Sequence, residues 1–105
     1  MVIEVFEEGS ALTLVLHGRM DTLASPEFED VIKSKLDGVD DLTFDFADVQ
    51  YISSSGLRVL LYSQKEMDLR GGRMRLVKVS RMVSDIFDIT GFSGILTIEK
   101  EEPAE

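Results

Sequence analysis

The spacing of apolar residues changes period along this chain, and those changes constrain the fold more than any other feature. Apolar residues recur at strand spacing in Val2-Ile3-Glu4-Val5-Phe6 and again in Leu12-Thr13-Leu14-Val15-Leu16. The intervening Glu7-Glu8-Gly9-Ser10 predicts an antiparallel hairpin with a glycine-containing turn. A loop, Gly18 to Thr22, follows. The period then lengthens: Phe28, Val31, Ile32 and Leu36 fall at helical spacing, with Ser25 read as N-cap, Pro26 as the first helical residue and Gly38 as the stop. Leu42 to Phe46 predicts a third strand, which runs through Ala47 to Ile52 into three serines. After Gly56 a second helix carries Leu57, Leu60 and Leu61 on one face and ends at Gly71-Gly72. Met74, Leu76 and Val77 mark a fourth strand. Ser80 caps a short helix burying Val83, Ile86 and Phe87, and Thr90-Gly91-Phe92 turns the chain into a last strand, Ile95 to Ile98.

The order ββαβαβαβ defines an α/β fold: a mostly parallel central sheet, an antiparallel edge hairpin at the N-terminus and helices packed on it. At 105 residues it is one domain, residues 1–100, followed by an acidic flexible tail, 101–105. The chain has no cysteine, which excludes disulfides and thiolate metal sites, and the single His17 excludes most histidine-based chemistry. No apolar run nears the roughly 20 residues of a membrane span, and no secretory leader opens the chain, so the expected address is the cytoplasm, without membrane insertion. A net charge of −9 argues against a nucleic-acid partner. The charge is uneven: residues 58–81 carry a net +5 against −14 elsewhere, a pattern that suits electrostatic orientation of a protein partner. Met67, Met74 and Met82 are expected to fill core gaps, and Met20 to lie exposed beside Asp21. Asp45 and Asp48 lack further clustered ligands and read as solvated, so no metal and no cofactor is expected.

In sheets of this kind, binding chemistry collects where strand C-termini hand over to helix N-termini. Here that junction is Ser53-Ser54-Ser55-Gly56. A helix N-terminus exposes unsatisfied N–H groups and about half a positive charge, so it accepts a phosphate, bound or attached to serine. Serine is equally a preferred N-cap. Taken alone, the cluster favours capping.

The stretch Asp45-Phe46-Ala47-Asp48-Val49-Gln50-Tyr51-Ile52-Ser53-Ser54-Ser55-Gly56-Leu57-Arg58-Val59-Leu60 resembles the signature of STAS domains, the modules shared by anti-sigma factor antagonists and the cytoplasmic tails of sulphate transporters. Gly18-Arg19-Met20-Asp21 is similar to the family's early loop. Gly71-Gly72-Arg73-Met74, with Ile86-Phe87-Asp88-Ile89-Thr90-Gly91-Phe92, is similar to its double-glycine strand and short helix. The resemblance implies an anti-sigma factor antagonist that is not an enzyme. Its unmodified form would bind a GHKL-type anti-sigma factor serine kinase and free a sigma factor. Phosphorylation of Ser54 would end binding, and a phosphatase would restore it. Ser54 is the position two before the glycine, and Asp21 matches the loop aspartate near that site. Ser53, Ser55, Gly56 and Arg58 complete the expected partner surface. Ser53 replaces an aspartate that many of these antagonists carry, and little chain remains for the family's C-terminal helix. A monomer or weak dimer is expected. The alternative within the fold is an unphosphorylated scaffold subunit of a transporter or membrane-associated complex. A serine hydrolase lacks a Gly-x-Ser-x-Gly elbow, and neither a P-loop nor Gly-x-Gly-x-x-Gly supports nucleotide binding.

Overall fold

The computed structural model describes residues 1–100; the expected acidic tail, 101–105, lies outside the described residues. Five strands form one sheet in sequential order: β1 (Val2–Glu8), β2 (Ala11–Met20), β3 (Asp41–Ile52), β4 (Arg73–Val79) and β5 (Ile98–Lys100). β1 and β2 are antiparallel, from Val2 opposite His17 to Glu8 opposite Ala11, and all other pairs are parallel. Three helices connect the parallel strands: α1 (Ser25–Lys35), α2 (Ser54–Leu69) and α3 (Arg81–Thr90). Strands laid down in sequential order through right-handed crossovers put every connecting helix on the same side of the sheet. The aromatic contacts agree. Phe28 of α1 packs edge-on against Phe44 at 5.6 Å, and Phe87 of α3 meets Phe46 at 6.3 Å. Phe44 and Phe46 are two apart in β3 and so share a face.

That face holds the core: Leu12, Leu14 and Leu16 of β2, Leu42, Phe44 and Phe46 of β3, and Met74 and Leu76 of β4, all buried. Two irregularities keep the alternation useful beyond the middle of the sheet. The β2–β3 register shifts between Val15 and His17, leaving Ala47 and Asp48 exposed in succession before Val49 and Ile52 return to the core. Asp45 Oδ1 accepts the Ala47 N–H at 2.9 Å at this shift. In β4, Lys78 takes a left-handed φ of 57°, and Val79 is again buried.

The opposite face carries no helix. It is a lattice of cross-strand polar pairs: Arg73 with Asp41 at 3.5 Å, Lys78 with Asp45 at 3.5 Å, and Arg75 with Glu99 at 3.6 Å and Thr43 at 3.2 Å. The basic residues of β4 are therefore spent on acidic neighbours, while Arg58 and Lys65 stand exposed on α2. The +5 segment is thus two separate surfaces.

Several expectations are corrected. β2 continues through Gly18-Arg19-Met20, which had read as loop. The last strand is Ile98–Lys100, because Phe92–Gly94 forms a 3-10 turn and leaves Ile95 to Thr97 outside the ladder. Met82 lies on the outer face of α3 at 62% exposure, whereas Met67 and Met74 are buried as expected. Met20 is fully buried, since the extended β2 turns it toward the helices. Ser80 caps α3 as expected, accepting the Val83 N–H at 3.3 Å. No described helix is long and apolar enough to cross a membrane.

On the open face, His17 bridges the edge strand to the centre: Nε2 lies 2.5 Å from Glu4 and Nδ1 2.9 Å from Asp48. The bond to Glu4, then that to Asp48, raises its pKa above the usual 6.5. Protonation is thus favoured in the folded state. The stabilisation is fully present below 6.5, and is lost as pH rises through the raised value. Wild type and His17→Gln should differ most in denaturant midpoint between about pH 5 and 6.5, and converge at higher pH. A difference that grows with pH would contradict the bridge.

Candidate functional site

β2, β3 and β4 all point their C-terminal ends the same way, so the segments leading into α1, α2 and α3 gather at one end of the sheet. The three serines divide their work there. Ser53 is extended, at φ −86° and ψ 170°, and only 8% exposed. It is the N-cap of α2, its hydroxyl accepting the Gly56 N–H at 3.3 Å. Its own N–H donates to Met20 O at 2.8 Å, which ties the α2 start to the end of β2. Ser54 is the first helical residue and is exposed; Ser55 is half-buried. The helix therefore begins three residues before the start expected after Gly56. Gly56 lies inside its first turn.

Gly56 is required by contact rather than by backbone conformation. A Cβ there would collide with Met20 Cγ and stand 2.9 Å from Ile52 Cγ1. Met20, the residue before Asp21, is thus the floor on which the α2 N-terminus rests.

Asp21 opens α1 in place of Ser25. Its carboxylate accepts the Ala24 N–H at 2.9 Å, and its carbonyl accepts from the Ser25 N–H at 3.0 Å and hydroxyl at 2.8 Å. Ala24, not Ser25, occupies the cap position, in a helical conformation. The chain is already turning helically from Thr22, so the serine read as a cap lies inside the helix and bonds backward. Leu23, within this turn, is 90% exposed.

Between α1 and α2 runs an open groove of about 330 Å³, lined by Thr22, Ser25, Pro26, Glu29, Ser55, Arg58, Val59 and Tyr62. Ser55 and Arg58 thus meet the Asp21 turn across the groove, and Ser53 meets it through Met20. Lys33 pairs with Glu29 at 2.9 Å and stands over the Tyr62 ring at 5.4 Å. The contributions of Thr22 and Tyr62 had no signal in the sequence, because they come from packing α1 on α2. His17 has both ring nitrogens engaged on the open sheet face, so neither is left to activate a serine. Among the described residues no cluster of three or more metal-ligating side chains occurs.

A one-sided, mostly parallel sheet with an exposed hydroxyl on the first residue of a central helix defines a small α/β module that presents a surface. The STAS domain profile matches residues 2–104, and the chain belongs to that family. It is 24% identical over 104 residues to an anti-sigma-B factor antagonist of Staphylococcus epidermidis, spanning 98% of this chain and 96% of the relative. To the anti-sigma-B factor antagonist of Bacillus subtilis it is 26% identical over 96 residues, 91% of this chain and 88% of that one. Among solved structures it is similar to a putative anti-sigma factor antagonist from Thermotoga maritima, with TM-score 0.86, 18% identity and coverage of 93% and 86%. The unphosphorylated form of the anti-sigma factor antagonist SpoIIAA gives 0.81, at 19% identity and coverage of 95% and 90%. The Bacillus protein SpoIIAA in its phosphorylated form gives 0.73, at 18% identity and coverage of 95% and 93%. These likenesses confirm the fold that the period changes predict.

The division among the serines is measurable. Ser53→Ala should cost about 1 kcal/mol in denaturant unfolding, as loss of a cap does, while Ser54→Ala should stay within about 0.5 kcal/mol of wild type. Equal losses would remove the distinction. Gly56→Ala should destabilise by about 1–3 kcal/mol through overpacking against Met20 and Ile52; a wild-type unfolding curve would show that the floor yields freely.

Proposed function

We propose that this protein is an anti-sigma factor antagonist, a binding protein and not an enzyme, switched by phosphorylation of Ser54. The observation that carries the proposal is the contrast between Ser53, buried and occupied as a cap, and Ser54, exposed on the first helical residue. A kinase can reach Ser54 without dismantling the helix. The relatives' names, and the solution of SpoIIAA in both unphosphorylated and phosphorylated forms, support the same reading.

In this scheme the unmodified chain docks on a cytoplasmic GHKL-type anti-sigma factor kinase through Asp21, Ser55 and Arg58 around Ser54, and a sigma factor is released. Ser53 and Gly56, expected in this surface, are buried and support it from beneath. The kinase then inactivates its own ligand. Ser54 Oγ attacks the γ-phosphorus of ATP, the bond to ADP breaks, and the hydroxyl proton passes to a base of the kinase. A phosphatase hydrolyses the ester and restores the hydroxyl. The phosphate adds about −1.5 to −2 charges and three acceptor oxygens. The helix dipole favours a negative charge at this end, so the fold persists, while a partner packed over Ser54 meets both bulk and unpaired charge.

Ser54→Asp should therefore fold like wild type by circular dichroism. Calorimetric titration into the kinase should show it binding roughly 30- to several-thousand-fold more weakly than wild type, the equivalent of about 2–5 kcal/mol for an unpaired interfacial charge. Ser54→Ala, small and neutral, should bind well. Equal affinity of the Asp and Ala variants would reduce Ser54 to part of a scaffold surface and favour the transporter-subunit alternative.

A further inference from the structure

The groove beside the serines has a chemistry that docking alone does not call for. Arg58 lies on α2 one turn after Ser54, and residues four apart on a helix are lateral neighbours. Ser54 and Arg58 are both exposed, and Arg58 also lines the groove. Arg73, Arg75 and Arg70 are committed to carboxylates or carbonyls elsewhere, and Arg19 lies over the Tyr51 ring at 4.4 Å. Arg73 and Arg75 pair with Asp41 and Glu99. Arg70 pairs with Glu66 at 3.5 Å and donates to the Leu36 carbonyl at the end of α1. Arg58 has no acidic partner among the described residues. The hydroxyl-bearing residues Thr22, Ser55 and Tyr62 line the groove with it.

We infer that Arg58 is the cation that receives the phosphoryl group of Ser54 and holds it at the mouth of the α1–α2 groove. The inference rests on Ser54 being the modified residue. A guanidinium offers a planar fork of N–H donors matched to phosphate oxygens, on a side chain long enough to reach back one turn. The negative groups nearby are already engaged: Glu29 by Lys33, and the Asp21 carboxylate by the Ala24 N–H. Among the described residues Arg58 is thus a cation without an acidic partner one turn from the hydroxyl, and a phosphate on Ser54 answers it. The same side chain serves both states: free, it is part of the surface shown to the partner; clamped, it is withdrawn from that surface. The off state then removes a cation as well as adding an anion.

The full chain, made with phosphoserine incorporated at position 54 during synthesis, separates this inference from the switch itself, because no kinase is needed. In phosphorus NMR titrations the Arg58→Ala phosphoprotein should have a phosphate pKa about 0.3–0.7 unit higher than the protein with Arg58, the change expected for loss of a charge-assisted i,i+4 contact. Arg58→Lys should fall between them. The melting temperature of the phosphoprotein should drop more on Arg58→Ala than that of the unmodified chain. Coincident titrations of the Arg and Ala phosphoproteins, with equal melting shifts in both states, would overturn the clamp. Kinase binding of the same phosphoprotein tests the switch separately: undiminished affinity would defeat the switch, and the titration would still decide the clamp.

Discussion

Everything in this molecule hangs from the buried face of β3. The strand has neighbours on both sides and runs for twelve residues. Leu42, Phe44, Phe46, Val49 and Ile52 all turn toward the helices. Phe44 takes the edge of Phe28 from α1, and Phe46 receives Phe87 from α3. Truncating either phenylalanine would open a cavity costing about 3–5 kcal/mol, a large part of the stability of a domain this size. The register shift after Asp45 matters as much as the side chains, because it returns Val49 and Ile52 to the buried face. Ile52 then reaches the foot of α2. The end of the core strand and the start of the candidate site are thus one mechanical unit.

That unit explains why glycine stands at position 56. Met20 arrives from β2 and Ile52 from β3, and together they fill the space that a Cβ on Gly56 would need. With the Ser53 N–H bonded to Met20 O, the helix N-terminus is fixed to two adjacent strands at once. Gly72 plays the matching part at the other end of α2, where a Cβ would lie 2.7 Å from the Asp40 carbonyl and from Met67 Cε. The N-terminal end is seated by close approach alone, whereas the C-terminal end uses both close approach at Gly72 and the left-handed φ of 68° that Gly71 supplies, as expected.

Much of this was legible in the sequence. The change of period located the first four strands and the three helices and gave the existence and order of the fifth strand, and that order dictated a mostly parallel sheet. What was misread has two physical causes, a local turn and long-range packing. Ser25 has the chemistry of a cap, but Asp21 three residues before Ala24 forms the turn first and leaves the serine inside the helix. Gly56 looked like a boundary because glycine disfavours helix interiors, yet packing against Met20 and Ile52 overrode that propensity. Met20 looked free because it precedes a loop aspartate, but β2 runs three residues further than its alternation shows. The groove between α1 and α2 was invisible, since its lining comes from two helices far apart in the chain. Ser25 was displaced by a local turn, whereas Met20, Gly56 and the groove have roles set by residues distant in the chain.

The separation of Ser53 from Ser54 has a consequence for how information is held. The hydroxyl that maintains the helix is shut away beneath it, and the one beside it faces outward with no share in that duty. Under the proposed function, then, the protein does not remember its state by changing shape. It carries the state as a label on an unchanged backbone fold, with no more than a side chain beside it rearranged, and the label is read by whichever partner tries to close over it.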